Sequence, residues 1–468
     1  MQTAEVKRNS RAPFLVPREH WGTAAPPGPV LGVPLREFRR VRSQGLIPYL
    51  QGLVRQYGHV ARIQCGPVWV YLVNEPEMIR DILQRKYQAF EKGYGAELLK
   101  DVAGLGVFFA EGEDHRRQRK LMQPAFHKEC IRKYSLHMRD CIERAQEGWE
   151  DGAVVNIADA MNRMTLDVVV RSLFSTRVDA DARLIGESLG DIFDVAMEVL
   201  LSPLGPLSLH LPTPSTRRYR RALRNLDHTI KRLIEEHQSP GAVFDDLMAI
   251  LMGVDEMSGG QQSYARLRDE AMTLFIAGHE TTGIALSWSW YEVARNPSVQ
   301  ARLQEEVDRV LGGRVPEFED VARLPYCRAL MKESMRMYPP VYLFFRQAAE
   351  SVMVGDYLVP EGAHVLLCPY LTHRDARFFP SPDLFDPERW TAEFEESLPK
   401  YAYFPFSGGP RVCLGEHFAW TEGILALAAL AQQWHFELEP HQSIRYGNSA
   451  TLRPEPGIDV RVHRRAER

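Results

Sequence analysis

The segment FSGGPRVCLG, residues 406–415, sets a lone Cys413 between Arg411 and Gly415, behind Gly408, Gly409 and Pro410. Gly reaches positive φ and Pro fixes φ near about −65°, so a regular helix does not run through these positions. The following text, LGEHFAWTEGILALAALAQQW, has no Pro and ends in an apolar run, which places Cys413 at or just before a helix start. Unpaired N–H groups at a helix N-terminus stabilise a thiolate, and Arg411 adds a cation. The competing reading is an inert, buried Cys in a tight turn.

A second chemical stretch is LFIAGHETTGIAL, residues 274–286. Gly278 weakens a helix interior, Thr281 and Thr282 can bond back to preceding carbonyls, and Ala277 and Thr281 share one face. A small residue beside a hydroxyl makes a shallow polar notch in a possible kink; close packing through Ala and Gly explains the same residues. Glu280 favours the notch, since a carboxylate in an apolar helix needs a partner or a task. Farther on, MKESMRMYPP places Glu333 and Arg336 three apart on one helical face, and FDPERW supplies Arg389. A surface pair of this kind contributes little, so neither stretch assigns a function alone.

These residues need elements to hold them. Strand-like alternation occurs at residues 59–73, 352–360 and 364–371, while residues 222–238, 267–296 and the stretch after Cys413 read as helices. Strands confined to the early chain and to residues after 340, with helices between, predict an α+β chain dominated by helix. No internal repeat is present. The 57 basic and 61 acidic side chains leave a formal charge of −4, which disfavours nucleic acid as a partner. Cys65, Cys130, Cys141, Cys327, Cys368 and Cys413 show no CxxC spacing, which argues against a disulfide scaffold or structural zinc and reads as intracellular. The first 40 residues carry PPGPVLGVP without a continuous apolar stretch. They predict an extended, Pro-rich surface arm without a membrane anchor, ahead of a single domain over residues 41–468.

Taken together, the chain resembles the cytochrome P-450 family of haem-thiolate monooxygenases, of soluble bacterial type, along nearly its whole length. The pattern FxxGxRxCxG is met by Phe406, Gly409, Arg411, Cys413 and Gly415; AGHETT, Glu333 with Arg336, and PERW follow the family's order. The resemblance implies a mainly α fold with smaller β-sheets and haem b on a Cys413 thiolate. It implies a Glu333, Arg336 and Arg389 charge network that holds the haem loop. The stretch GEDHRRQRKLMQPAF resembles the family's WxxxR helix, with His115 in place of Trp. His115, Arg119 and Arg411, with Lys100 and Arg346, are thereby implied as haem-propionate partners.

The same resemblance implies oxygen insertion from O2 into a lipophilic substrate, by hydroxylation or epoxidation, with Glu280 and Thr281 delivering protons beside Ala277. It assigns the substrate wall to Val107, Phe108, Phe275, Val341, Leu343, Phe344, Ala450 and Thr451, and a mobile lid to residues 199–212. Electrons are expected from NAD(P)H through a separate ferredoxin or flavodoxin and its reductase, with Arg116, Arg117 and Lys120 on a docking face or simply a solvated one. A cytoplasmic location follows from the same likeness. The alternatives are a peroxide-driven hydroxylase or isomerase, and a haem sensor without turnover.

Overall fold

The computed structural model describes residues 25–31, 41, 43, 45–65, 68–93, 102–174, 179–200, 205–239, 246–257, 264–447 and 450–466. The larger helices are α1 (Gly112–Met122), α2 (Lys128–Ala145), α3 (Ile157–Phe174), α4 (Asp179–Leu200), α5 (Pro214–His237), α6 (Tyr264–Arg295), α7 (Pro297–Leu311), α8 (Pro325–Met337) and α9 (Glu416–Gln433). Of these, α6 is central. Its face toward α3 is made of small residues: a Cβ on Gly278 would lie 2.9 Å from Val169 Cγ2, and one on Gly283 would lie 2.3 Å from Asn162 Oδ1. Thr165 Oγ1 of α3 donates to the His279 carbonyl at 2.9 Å. The close-packing reading of AGHETTG is therefore right for its glycines. No break interrupts α6; Thr281 Oγ1 donates to the Ala277 carbonyl at 2.8 Å within a continuous helix.

The main sheet has six strands drawn from both ends of the chain. In chain order they are β1 (Val30–Leu31), β2 (Val60–Cys65), β3 (Val68–Val73), β4 (Phe90–Glu91), β5 (Phe344–Ala348) and β6 (His364–Leu367), arranged β1-β2-β3-β6-β5-β4. The β2–β3 hairpin answers the alternation seen at residues 59–73. Its β3 strand pairs in parallel with β6, Val70 opposite His364, which brings the C-terminal third onto the early chain. Val30 and Leu31 pair in parallel with Gln64 and Cys65. At these two residues the expected surface arm is an outer strand of the sheet; residues 1–24 and 32–40 lie outside the described residues. One strand falls in the helical middle of the chain: Val154–Asn156 pairs with Asp459–Arg461, too short for any period to reveal it.

The largest core joins α2, α3, α6, α8 and α9, and a smaller one lies around Trp69, Tyr71, Leu83, Phe90 and Phe404. Among the described residues no helix is long and apolar enough to cross a membrane.

Candidate active site

Cys413 lies three residues ahead of α9, after a single 3-10 turn at Gly409–Arg411. Gly409 has φ +64°, and a Cβ there would sit 1.8 Å from the Leu83 carbonyl oxygen, so both conformation and space demand Gly. The Cys413 N–H donates to the Phe406 carbonyl at 3.0 Å and closes the loop. Among the described free cysteines Cys413 alone is exposed, while Cys141, Cys327 and Cys368 are buried. Although the residue keeps an exposed surface, the protein packed around it pushes the thiol up to about 11. A backbone N–H bond at Gly415 and the Arg119 charge act in the opposite direction, while Glu416 adds to the rise. The predicted thiolate is thus not favoured by the helix terminus alone. Nor is Arg411 the cation beside it. The turn sends Arg411 away to donate to the Ala110 carbonyl at 2.8 Å and to pair with Glu111. Arg119 of α1 takes the place beside Cys413, donating to the Val412 carbonyl at 2.7 Å.

Around Arg411 the charges of the described residues do not balance. Lys92, Arg119, Arg346 and Arg411 act on one another or on His115, against Glu111 and the exposed Glu91. Burial, then Arg346 and Arg411, hold Lys92 well below the usual lysine range. Burial and Arg411 lower Arg346 to about 10, and burial with Arg411, Arg119 and Lys92 lowers His115 to about 4, so its ring is neutral. Arg411 Nη1 is buried with no hydrogen-bond partner among the described residues. Repelling cations and an orphaned guanidinium N–H call for an anion. The β4–β5 pairing assembles this group: Glu91 lies opposite Gln347, Gly93 turns at φ +77°, and Lys92 arrives near Arg346. Lys92 escaped the sequence reading, which named Lys100; that residue lies outside the described ones. A Lys before a Gly carries no signal of its own, since only the strand pairing gives it a role.

On α6, Ala277 is exposed although its neighbours in the helix are mostly buried. Glu280 is buried. Its Oε1 accepts from Thr451 Oγ1 at 2.8 Å, while Oε2 has no partner among the described residues. Burial pushes its carboxyl up to about 7, against the Thr451 bond and the Arg453 charge. Thr451 was expected on the substrate wall; the structure makes it the partner of Glu280.

Other wall positions divide. Phe108 is 45% exposed, Val107, Val341 and Ala450 are half-buried, and Leu343 is nearly enclosed. Phe275 is not at an open surface: it is fully buried and stacked on Phe174 at 5.6 Å. Phe344 packs with the smaller core, 6.0 Å from the Phe404 ring, because strand alternation turns it away from Leu343 and Phe345. Of the expected lid, residues 201–204 lie outside the described ones, and Gly205–His210 forms a 3-10 segment before α5.

Glu333 and Arg336 are fully buried. Arg336 donates to both Glu333 oxygens at 2.8 and 2.9 Å, and Arg389 Nε donates to Oε1 at 2.9 Å. Trp390 Nε1 and the Asp386 N–H donate to the same carboxylate. The guanidinium groups also reach the carbonyls of His373, Pro380, Pro382 and Leu384. The sequence named the charges but not Trp390 or these carbonyls.

The family model for cytochrome P450 matches residues 26–462 of this chain. The chain belongs to the cytochrome P450 family. This P450 is 36% identical over 429 residues to cyclooctatin synthase of Streptomyces melanosporofaciens, covering 91% of this chain and 92% of that protein. It is 33% identical over 434 residues to pentalenene oxygenase of Streptomyces avermitilis, covering 92% and 94%. Its fold matches a crystal structure of the cytochrome P450DA heme domain with a TM-score of 0.84 and 24% identity, over 95% of this chain and 99% of that one. As a P450 it is a monooxygenase that uses haem and O2, with electrons originating in NAD(P)H and delivered by redox partners, and acts on lipophilic substrates. The residues fit that group: a half-buried cation cluster with a guanidinium N–H left without a partner suits two propionates, and an exposed Cys at the closed loop suits iron.

Proposed function

We propose that Cys413 is the iron ligand and that His115, Arg119, Arg346, Arg411 and Lys92 hold the propionates, with Glu333, Arg336 and Arg389 supporting the loop. The observation that carries this reading is the partnerless Arg411 Nη1 inside a cation cluster that shares Arg119 with the Cys413 loop. When bound, haem supplies the oxygen chemistry. The chain's part is to hold it, orient substrate and manage protons. Arg119 is the cation beside Cys413, and a bound iron would hold the sulfur as thiolate. Glu280 near neutrality can take up and release a proton at Oε2, while Oε1 is fixed by Thr451. Thr281 Oγ1 spends its hydrogen on the Ala277 carbonyl and so presents its lone pairs, which suits it to accept from a water beside Ala277.

The substrate class is read from relatives whose printed names are cyclooctatin synthase and pentalenene oxygenase. We assign this P450 a cyclic terpenoid, facing Val107, Phe108, Val341 and Ala450. The electron donor is a ferredoxin or flavodoxin with its reductase, and the location is cytoplasmic. A surface depression of 610 Å³ lined by Gln84, Lys400, Tyr401, Gly409 and Val412 touches the Cys413 loop from outside and gives a donor its close approach. The test has two variants. Cys413→His should lose the red-shifted Soret band of the reduced carbon monoxide complex. Thr281→Ala should keep that band and the spin-state shift with a bound cyclic terpenoid, yet form less product per NAD(P)H and more hydrogen peroxide. A surviving band in the first variant, or unchanged coupling in the second, would refute the respective role.

A further inference from the structure

The loop from Val102 to Ala110 carries Val107 and Phe108. Leu105 is 60% exposed and Phe108 is 45% exposed, so apolar burial does not fix its tip. Two adjacent carboxylates of α6 reach it. Asp269 Oδ2 accepts from the Leu105 N–H at 2.9 Å, and Glu270 Oε2 accepts from the Val107 N–H at 3.0 Å. From the other side Gln118 Nε2 of α1 donates to the Leu105 carbonyl at 2.9 Å. Glycines make the approach feasible. A Cβ on Gly104, at φ +55°, would lie 2.1 Å from the Asp269 carboxylate, and one on Gly106 would lie 2.1 Å from Thr273 Oγ1. Glu270 is only 3% exposed, so its bond to Val107 is made away from water and is a charge-assisted one whenever the carboxyl is ionised.

A second set of bonds ties this contact to a distant helix. Arg268 Nη1 donates to Asp269 Oδ1 at 2.9 Å, and Arg268 Nε donates to Asp227 of α5 at 2.9 Å. Glu270 is two helical turns from Ala277, about 10 Å along the same face of α6. The loop is therefore held about two helical turns from the exposed Ala277, at a distance set by α6 itself.

We propose that Asp269 and Glu270 form a clasp that fixes the 105–107 backbone against α6 and thereby determines which ligand shapes fit beside Val107 and Phe108, with Asp227 and Arg268 linking its setting to α5. These are positioning residues, acting through the loop. The proposal rests on the reading that Val107 and Phe108 face the ligand in front of a haem held by Cys413.

The experiment uses haem-loaded wild type, Asp269→Ala, Glu270→Leu and Glu270→Gln. Amide hydrogen exchange over residues 102–110 is measured first. Soret shifts then give the affinities of imidazole and of 4-phenylimidazole, a small and a bulky iron ligand. Glu270→Leu should speed exchange at Val107 by several-fold or more, the loss of one buried hydrogen bond. Asp269→Ala should do the same at Leu105. The affinity ratio of the two imidazoles should change several-fold in both, while Glu270→Gln, which keeps an acceptor in place, should retain wild-type exchange and ratio. Equal exchange in wild type and Glu270→Leu would show that the clasp does not exist. Faster exchange with an unchanged affinity ratio would overturn its role in selecting ligands. Absence of the carbon monoxide band from the wild type would count against the haem assignment instead, and the exchange comparison stands apart from it.

Discussion

At the residue scale Glu280, the group proposed to handle protons, shows how burial shifts an ordinary carboxyl toward neutral pH. Water is excluded, Thr451 supplies one bond and Oε2 has none among the described residues, so the charged form is disfavoured and the pKa rises from the usual 4.5 to about 7. The folded protein thus binds this proton more tightly than the unfolded chain does. The stability it contributes is fully present below the unfolded value and is lost as pH rises through about 7. Glu280→Gln, a neutral amide of the same shape, should remove that dependence. Between about pH 4.5 and 7.5 the unfolding free energy of Glu280→Gln should gain on wild type by on the order of 3 kcal/mol, read from urea melts. A constant difference across that range would mean that Glu280 titrates normally and does not handle protons near neutrality.

At the element scale the Glu333 cluster is a joint. Arg336 and Glu333 sit on α8, Arg389 and Trp390 on the turn after Pro387, and the carbonyls they reach belong to residues 373–384. His373 Nε2 accepts from the Phe404 N–H at 3.0 Å, and Tyr403 OH donates to the Lys332 carbonyl at 3.0 Å. The segment leading into Phe406 and Cys413 is thereby fastened to α8. Removing Glu333 leaves two buried guanidinium groups without their shared carboxylate, a loss of about 3 to 5 kcal/mol, comparable with much of a domain's stability. Glu333→Ala should therefore yield mostly unfolded or haem-free protein, measured as the ratio of Soret to protein absorbance. A fully loaded, soluble variant that merely turns over slowly would show that the cluster is not the joint.

At the scale of the whole molecule, α1 joins the interior to a surface. His115 and Arg119 face inward, while Arg116, Arg117 and Lys120 are exposed on its other side. Arg116 and Arg117 pair with Glu113 and Asp114 of the same helix, at 3.2 and 2.9 Å, so part of this basic face is neutralised locally. Rim charges act mainly on association rate and are screened by salt. If this face receives an acidic electron donor, Arg117→Glu with Lys120→Glu should slow its first electron transfer several-fold at low salt, converging with wild type near about 0.5 M salt, where the Debye length is only a few ångströms. Identical rates at every ionic strength would leave α1 as a solvated face, with the donor docking elsewhere.

The sequence by itself singled out the candidate residues and most of their local settings. Cys413 ahead of a helix, Glu333 and Arg336 on one helical face, and the long helix bearing Ala277, Glu280 and Thr281 are all fixed by spacing, breakers and period, which are properties of a few neighbouring residues. It also gave the dominance of helix and the β2–β3 hairpin. What lay beyond it depends on contacts between distant segments. The parallel β3–β6 ladder, the arrival of Lys92 beside Arg346, the exchange of Arg411 for Arg119 next to the sulfur and the bond from Thr451 to Glu280 each join residues between about 170 and 300 positions apart. The family resemblance put Phe275 and Phe344 on the substrate wall, but burial against Phe174 and strand alternation decided which way they face. Direction of a side chain and the charges that surround it are set only when the elements pack, because a pKa or an open face belongs to an environment and not to a residue.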